Sequence, residues 1–189
     1  MSGVGSARKP RADAQRNRER LIDEAKAAFA NVGPDVSLEE IARRAEVGIG
    51  TLYRHFPSRD AIVEAVYRRE VEQLADAAQR LLDSRPSVDA LHEWLKLLVS
   101  YMVTKKVIGP ALGTMASGAS ELYESSGALI RAAVTLLVER AVASGEIRAD
   151  VEAEDLMQAM TGFSSGVSSP GWAARTLRLI DILMDGLRR

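Results

Sequence analysis

Between Val47 and Phe56 the chain reads VGIGTLYRHF, and two chemistries compete for it. Gly48 and Gly50 stand in G-x-G, the opening of loops that cradle nucleotide phosphates on backbone N–H groups. Thr51, Tyr53, Arg54 and His55 supply hydroxyl, phenol, guanidinium and imidazole donors, a set suited to the phosphates and base edges of a nucleic acid. The nucleotide loop fails on spacing: a dinucleotide fingerprint needs glycine where Tyr53 stands and a strand in front of it, and a P-loop needs G-K-[ST]. Catalysis has no better support. The chain has two histidines, His55 and His92, and no cysteine, with neither G-x-S-x-G nor H-E-x-x-H. His92 beside Glu93 points away from it on a helix. No catalytic residue, cofactor or metal site is expected.

What must position those donors is helix. No period-2 strand pattern of useful length occurs, whereas apolar residues recur at three and four almost throughout after residue 18. The pattern predicts an all-α chain of about nine helices. The first spans about residues 15–31 and stops at Gly33-Pro34. The second opens on Ser37-Leu-Glu-Glu40, a capping box in which the Ser37 hydroxyl accepts from the N–H three residues on and Glu40 reaches back to the Ser37 N–H. After a turn at Val47-Gly48 a third, short helix carries Leu52 and Phe56, four apart. The unit is a helix-turn-helix, whose second helix enters the major groove with its N-terminal residues toward base edges. Leu52 and Phe56 anchor that helix and leave Thr51, Tyr53, Arg54 and His55 outside. Gly48 supports the turn, and Gly50, lacking a side chain, lets the helix start approach a duplex closely. Arg43 and Arg44 read as solvated helix-surface residues in preference to base readers, with contact to the DNA backbone open to either.

The stretch SLEEIARRAEVGIGTLYRHFPSRDAIVEAV resembles the DNA-binding segment of the TetR family of transcriptional repressors, with its I-A-x-x-A-x-V, T-L-Y-x-H-F and F-P-S-R elements. The likeness extends over about residues 14–74; beyond, it is one of architecture. It implies a homodimer on a palindromic operator, released by a small molecule held in the larger helical domain. It also implies that Ser37, Tyr53, His55 and Arg59 contact phosphates and that Ile49, Gly50 and Thr51 lie nearest the bases; Arg54, left outside by the Leu52–Phe56 anchor, is a further DNA-binding candidate. Where the family often has Ser followed by a polar or basic residue, this chain has Gly48 and Ile49. Ile49 cannot hydrogen-bond a base, so readout there is expected to be apolar or by shape.

With 189 residues, 47% apolar, and a net charge of −1, nucleic-acid contact must be local. Residues 1–20 hold six lysines and arginines against two acids, a net +4. The expected organisation is a basic disordered arm over 1–13, a DNA-binding domain over 14–74 with its motif at 37–56, and a ligand-binding and dimerisation domain over 75–189.

A fourth helix from about Arg59 to Leu82 crosses into that last domain and leads to a fifth at about 88–105, a break at Gly109-Pro110, a short sixth to about Ala116, a seventh at about 120–143 weakened at Gly127, an eighth at 152–163 and a ninth at 171–187. Trp94, Leu98, Tyr101, Met102, Leu112, Met115, Tyr123, Met157 and Met160 could line an adaptable apolar pocket, or be ordinary core. The closing helix has two apolar stripes. Leu177, Ile180, Met184 and Leu187 would face its own bundle; Trp172, Thr176, Leu179 and Leu183, with Phe163, would face a second subunit. No apolar run approaches a membrane span and the N-terminus lacks a signal-peptide core, so the cytoplasm is the expected location. A DNA-binding or adaptor protein controlled by a protein partner is the alternative.

Overall fold

The structure, a computed structural model, describes residues 9–113 and 119–189. Over these the chain folds into eight helices: α1 Lys9–Asn31, α2 Leu38–Arg44, α3 Ile49–His55, α4 Arg59–Ser84, α5 Ser87–Gly113, α6 Ala119–Ala143, α7 Ala153–Ser164 and α8 Trp172–Leu187. The only β pairing among the described residues is an isolated bridge between Ile147 and Arg188. The all-α reading is correct, and the expected count of nine falls by one at Pro110.

The predicted break at Gly109-Pro110 is absent, because α5 runs on through Pro110 to Gly113. A proline inside a helix costs roughly 3 kcal/mol through a lost hydrogen bond and a ring clash. Here it lies one turn from the helix end, and its neighbours Ile108 and Leu112, four apart, are fully buried. Their burial offsets the penalty. Gly127 likewise leaves α6 uninterrupted.

At the other end α1 starts at Lys9, inside the span read as a disordered arm; residues 1–8 of that arm lie outside the described residues, as does Met115. From Ala12 onward the first buried side chain of α1 is Leu21, so an apolar stripe could not reveal the turns before it. Polar pairs mark them instead: Gln15 donates to Glu19 at 2.7 Å, Arg20 to Asn17 at 3.1 Å, and Arg16 pairs with Asp13. Such i,i+3 and i,i+4 partners support a helix face without burial.

Two compact units emerge, Met1–Tyr67 with Val107–Met115, and Arg68–Lys106 with Ala116–Arg189. In the first, α1, α2 and α3 pack mutually. Leu21, Ile22, Phe29, Ile41, Leu52, Phe56 and Ile62 form its core. Because α5 continues past Pro110, Leu112 falls in this unit and not in the larger one where a ligand pocket was expected. In the larger unit Trp94 is fully buried and its Nε1 donates to the Leu74 carbonyl at 2.8 Å. The end of α8 is tied back to the α6–α7 connection: Arg148 N–H donates to the Leu187 carbonyl at 2.9 Å and Arg189 N–H to that of Glu146 at 3.1 Å.

The faces of α8 are sorted differently from the sequence reading. Trp172, Thr176, Ile180, Met184 and Leu187 are buried together. Trp172 and Thr176 therefore belong to the inward stripe and are withdrawn from the outer face. Spacing explains it, since positions 172, 176, 180, 184 and 187 advance by whole turns along one side. Trp172 also donates from Nε1 to the Phe163 carbonyl at 2.6 Å, fixing Phe163 from within the same unit. The outward apolar residues are Leu179, 42% exposed, and Ile182, 67% exposed, with Leu183 half-buried. Ile182, three residues after Leu179, shares its outward face although it belongs to neither stripe of the sequence pattern.

Candidate nucleic-acid interface

The exposed surface of α3 is held from behind by two side chains. Leu52 is wholly buried and Phe56, at the helix C-cap, nearly so. The guanidinium of Arg18 lies over the Phe56 ring, 5.3 Å from its centroid. Arg18 continues the inner stripe of α1 one turn before Ile22, which is the sequence signal that could have identified it. From this platform Ile49, 38% exposed, and Tyr53, 47% exposed, project with Gly50 and Arg54, while Thr51 and His55 are half-buried. Tyr53 is thus not a core ring. Its phenol combines a flat apolar body with a hydroxyl that can meet phosphate. His55 leans toward Phe56, ring centroids 6.4 Å apart.

The turn ahead of α3 is not made as expected. Gly48 is the N-cap of α3 with φ −67° and ψ 146°, extended values that any residue adopts. The left-handed residue is Glu46, with φ 55°. Gly48 therefore contributes no turn conformation, and it leaves α3 without a side-chain cap. At Gly50 an added Cβ would meet nothing within 4 Å, so its smallness serves no packing need inside this chain.

The N-terminus of α2 forms half of its predicted capping box. Ser37 Oγ accepts from the Glu40 N–H at 3.1 Å and keeps its own O–H as a donor. The Glu40 carboxylate turns along the helix instead of back to Ser37. Arg43 donates to it through Nε and Nη2, both at 2.8 Å, and Arg44 through Nε at 2.8 Å. These hydrogen bonds, Arg43's first and Arg44's second, hold the Glu40 carboxyl at about 2, well below the usual carboxylate range. A complete capping box occurs instead at α7, between Glu152 and Asp155.

Arg59 is turned inward. Its Nη1 donates to the Val36 carbonyl at 2.6 Å, its Nη2 to that of Pro34, and its guanidinium lies 5.8 Å from the Phe29 ring centroid. These bonds tie the start of α4 to the α1–α2 connection. The sequence motif placed Arg59 among the phosphate contacts, but the structure commits two of its donors to backbone. Ser37, Ile49, Gly50, Tyr53 and Arg54 remain exposed within the motif.

Of the residues expected to line a pocket in the larger unit, Trp94, Leu98, Tyr101 and Met160 are buried, and Met102, Tyr123 and Met157 are half-buried. Lys105 Nζ sits 5.1 Å from the Tyr123 ring centroid. A groove of about 400 Å³ in this unit is lined by other residues, among them Arg131, Val138, Glu139, Val142 and Glu152. No helix among the described residues is long and apolar enough to cross a membrane. They also contain no cluster of three His, Asp or Glu able to hold a metal ion.

Known proteins share this arrangement. Residues 21–66 match the model for bacterial regulatory proteins of the tetR family, and residues 86–189 that for the SbtR-like transcriptional regulator C-terminal domain. The chain is 40% identical to the crystal structure of the TetR transcriptional regulator SCO0520 from Streptomyces coelicolor, with 90% of this chain and 98% of that one covered and a TM-score of 0.80. It is 32% identical to a TetR transcription regulatory protein from Mycobacterium vanbaalenii, covering 95% and 99%, with a TM-score of 0.78. The HTH-type transcriptional regulator TtgW from Pseudomonas putida is 33% identical over 97 residues, 51% of this chain and 68% of that protein. Two family models covering the motif and the remainder, with a likeness along nearly the whole of solved relatives, establish that the chain belongs to the TetR family of bacterial transcriptional regulators.

Proposed function

We propose that the protein is a homodimeric repressor that reads a palindromic operator through α3 and releases it when a small apolar ligand occupies the larger unit. The observation that carries the DNA-reading part is the α3 surface, where Ile49, Gly50, Tyr53 and Arg54 are exposed on a helix fixed by Leu52 and Phe56. Ile49, Gly50 and Thr51 at the helix start are the base-proximal residues. Tyr53, Arg54, His55 and Ser37 contact phosphate, and Arg59 positions the motif. Ile49 offers no hydrogen bond, so it favours an apolar partner such as a thymine methyl.

Pairing through α8 supports the dimer: Leu179, Ile182 and Leu183 form an apolar surface that the protomer leaves uncovered. Two half-sites about 34 Å apart, or a multiple of it, then require two recognition helices at fixed spacing. The half-buried Met102, Tyr123 and Met157 are the ligand contacts best placed to adapt. A ligand releases DNA only by binding more tightly to a conformer with the wrong spacing. Both α4 and α5 contribute residues to the two units, and α4, which begins at Arg59 beside the motif, is the element such a ligand would act through.

Selection of bound duplexes from a random pool tests the reading. Enrichment of a palindrome supports it, and recovery of no preferred sequence contradicts it. A library screen for compounds that dissociate the selected duplex tests the effector, with release by a protein partner alone pointing to the other mode of control.

A further inference from the structure

Glu40 has a job that the sequence does not suggest. An acid at the third position after Ser37 ordinarily completes the helix cap. Here its two oxygens accept three hydrogen bonds from arginines in the last turn of the same helix. The helix does not require this, because a helix C-terminus favours cations without an acid beside them. The arrangement does alter what α2 offers a polyanion. Arg43, with 72% of its side chain exposed, has Nε and Nη2 on Glu40, one of the two donor edges with which an arginine can grip a phosphate, and the carboxylate offsets its charge. An edge filled by a carboxylate cannot also hold a phosphate. Arg43 and Arg44 stand six and five residues before Ile49, so a duplex engaged by α3 lies near them.

We propose that Glu40 is a specificity-determining residue: it holds Arg43 and Arg44 off the DNA backbone and so keeps α2 from adding affinity that is blind to sequence. The inference rests on the DNA-binding reading above. Phosphate contacts supply most non-specific affinity and carry no sequence information directly. Two free arginines on each protomer would raise binding to every duplex and reduce the advantage of the operator. The clamp persists across the neutral range, since a carboxyl held at about 2 stays ionised there.

The test uses the full chain with two probes, a duplex selected from a random pool and a mixed-sequence duplex of the same length. Glu40→Gln is expected to tighten binding to the mixed duplex about tenfold near 0.15 M salt and to steepen the log–log salt dependence by about 0.9 for each further phosphate neutralised. The selected duplex benefits less, so the ratio between the two shrinks. Glu39→Gln removes the same charge from the exposed neighbouring position and is expected to change binding less than about twofold. Arg43→Gln in the Glu40→Gln background should reverse most of the tightening. Unchanged or weakened mixed-duplex binding by Glu40→Gln, or an equal effect of Glu39→Gln, overturns the proposal. Should Glu40→Gln melt too low to assay, Arg43→Gln alone decides: a tenfold loss would show the arginine already on phosphate and end the idea, and a change under about twofold supports the clamp. A wild-type chain that binds neither duplex fails the DNA-binding reading itself, a different result from either.

Discussion

Both α3 and α8 present apolar side chains to solvent, Ile49 and Tyr53 on one and Leu179 and Ile182 on the other, and the charges around them differ. On α3 the neighbours are Arg54 and His55; on α8, Arg178 is followed by Asp181 and Asp185. A basic surround draws a polyanion, whereas mixed charges around aliphatic side chains suit a protein surface. Exposed apolar area alone does not name a partner. The setting also differs: α3 is a seven-residue helix fixed by Leu52 and Phe56, while α8 is sixteen residues with a full inward stripe. One is a short reading head on a small core, and the other is a long strut with a face to spare.

Substitutions on the two helices and at their supports put that contrast at risk. The largest effect is expected from Leu179→Glu with Ile182→Glu: charge on the uncovered α8 face should give monomers and cost roughly 100-fold or more in operator affinity through lost bivalence. Light scattering that still reports a dimer would refute the role of this face. Arg59→Met should lower stability by about 2 kcal/mol, from two lost hydrogen bonds and the stranded Val36 and Pro34 carbonyls, while leaving the salt dependence of DNA binding unaltered. A shallower salt slope in a variant of undiminished stability would return Arg59 to the phosphate contacts.

Arg54→Ala should weaken binding to all duplexes about tenfold and shallow the salt slope by about 1 per protomer. Leu179→Ala should leave that slope alone, which separates the two faces directly. Glu46→Gly should raise stability by about 0.5–1 kcal/mol, since glycine accepts the left-handed conformation that glutamate resists; calorimetry showing no increase would mean Glu46 is not strained.

The smallest effect concerns pH. Glu40 is held at about 2, below its ordinary 4.5. A depressed folded value contributes stability that is present above about pH 4.5 and lost as pH falls toward 2. Glu40→Gln should flatten the fall in melting temperature over that window, and an unchanged acid profile would show that the clamp contributes nothing measurable to folding.

The motif was legible because its determinants are local. Ser37, the Leu52–Phe56 pair and Gly33-Pro34 act within a turn or two of themselves, so spacing alone predicts these elements and the exposure of Tyr53 and Arg54 on α3, though not the half-burial of Thr51 and His55. Pattern failed where a residue's partner is remote or polar. Polar pairs support α1 back to Asp13 with no apolar stripe to announce them. Pro110 stays helical because Ile108 and Leu112 are buried, and burial is a property of the assembled unit. The same holds for Trp172 and Thr176, where two apolar stripes were visible but only packing could decide which turned inward. Arg59 carries the family motif, yet carbonyls more than twenty residues away claim its donors. Helices, motif and family are thus written in the order of the residues. Which arginines face solvent, which face of α8 is left uncovered and what Glu40 holds are settled only on folding, because side-chain partners far along the chain compete for the same donors and the same apolar surface, and the assembled fold resolves that competition.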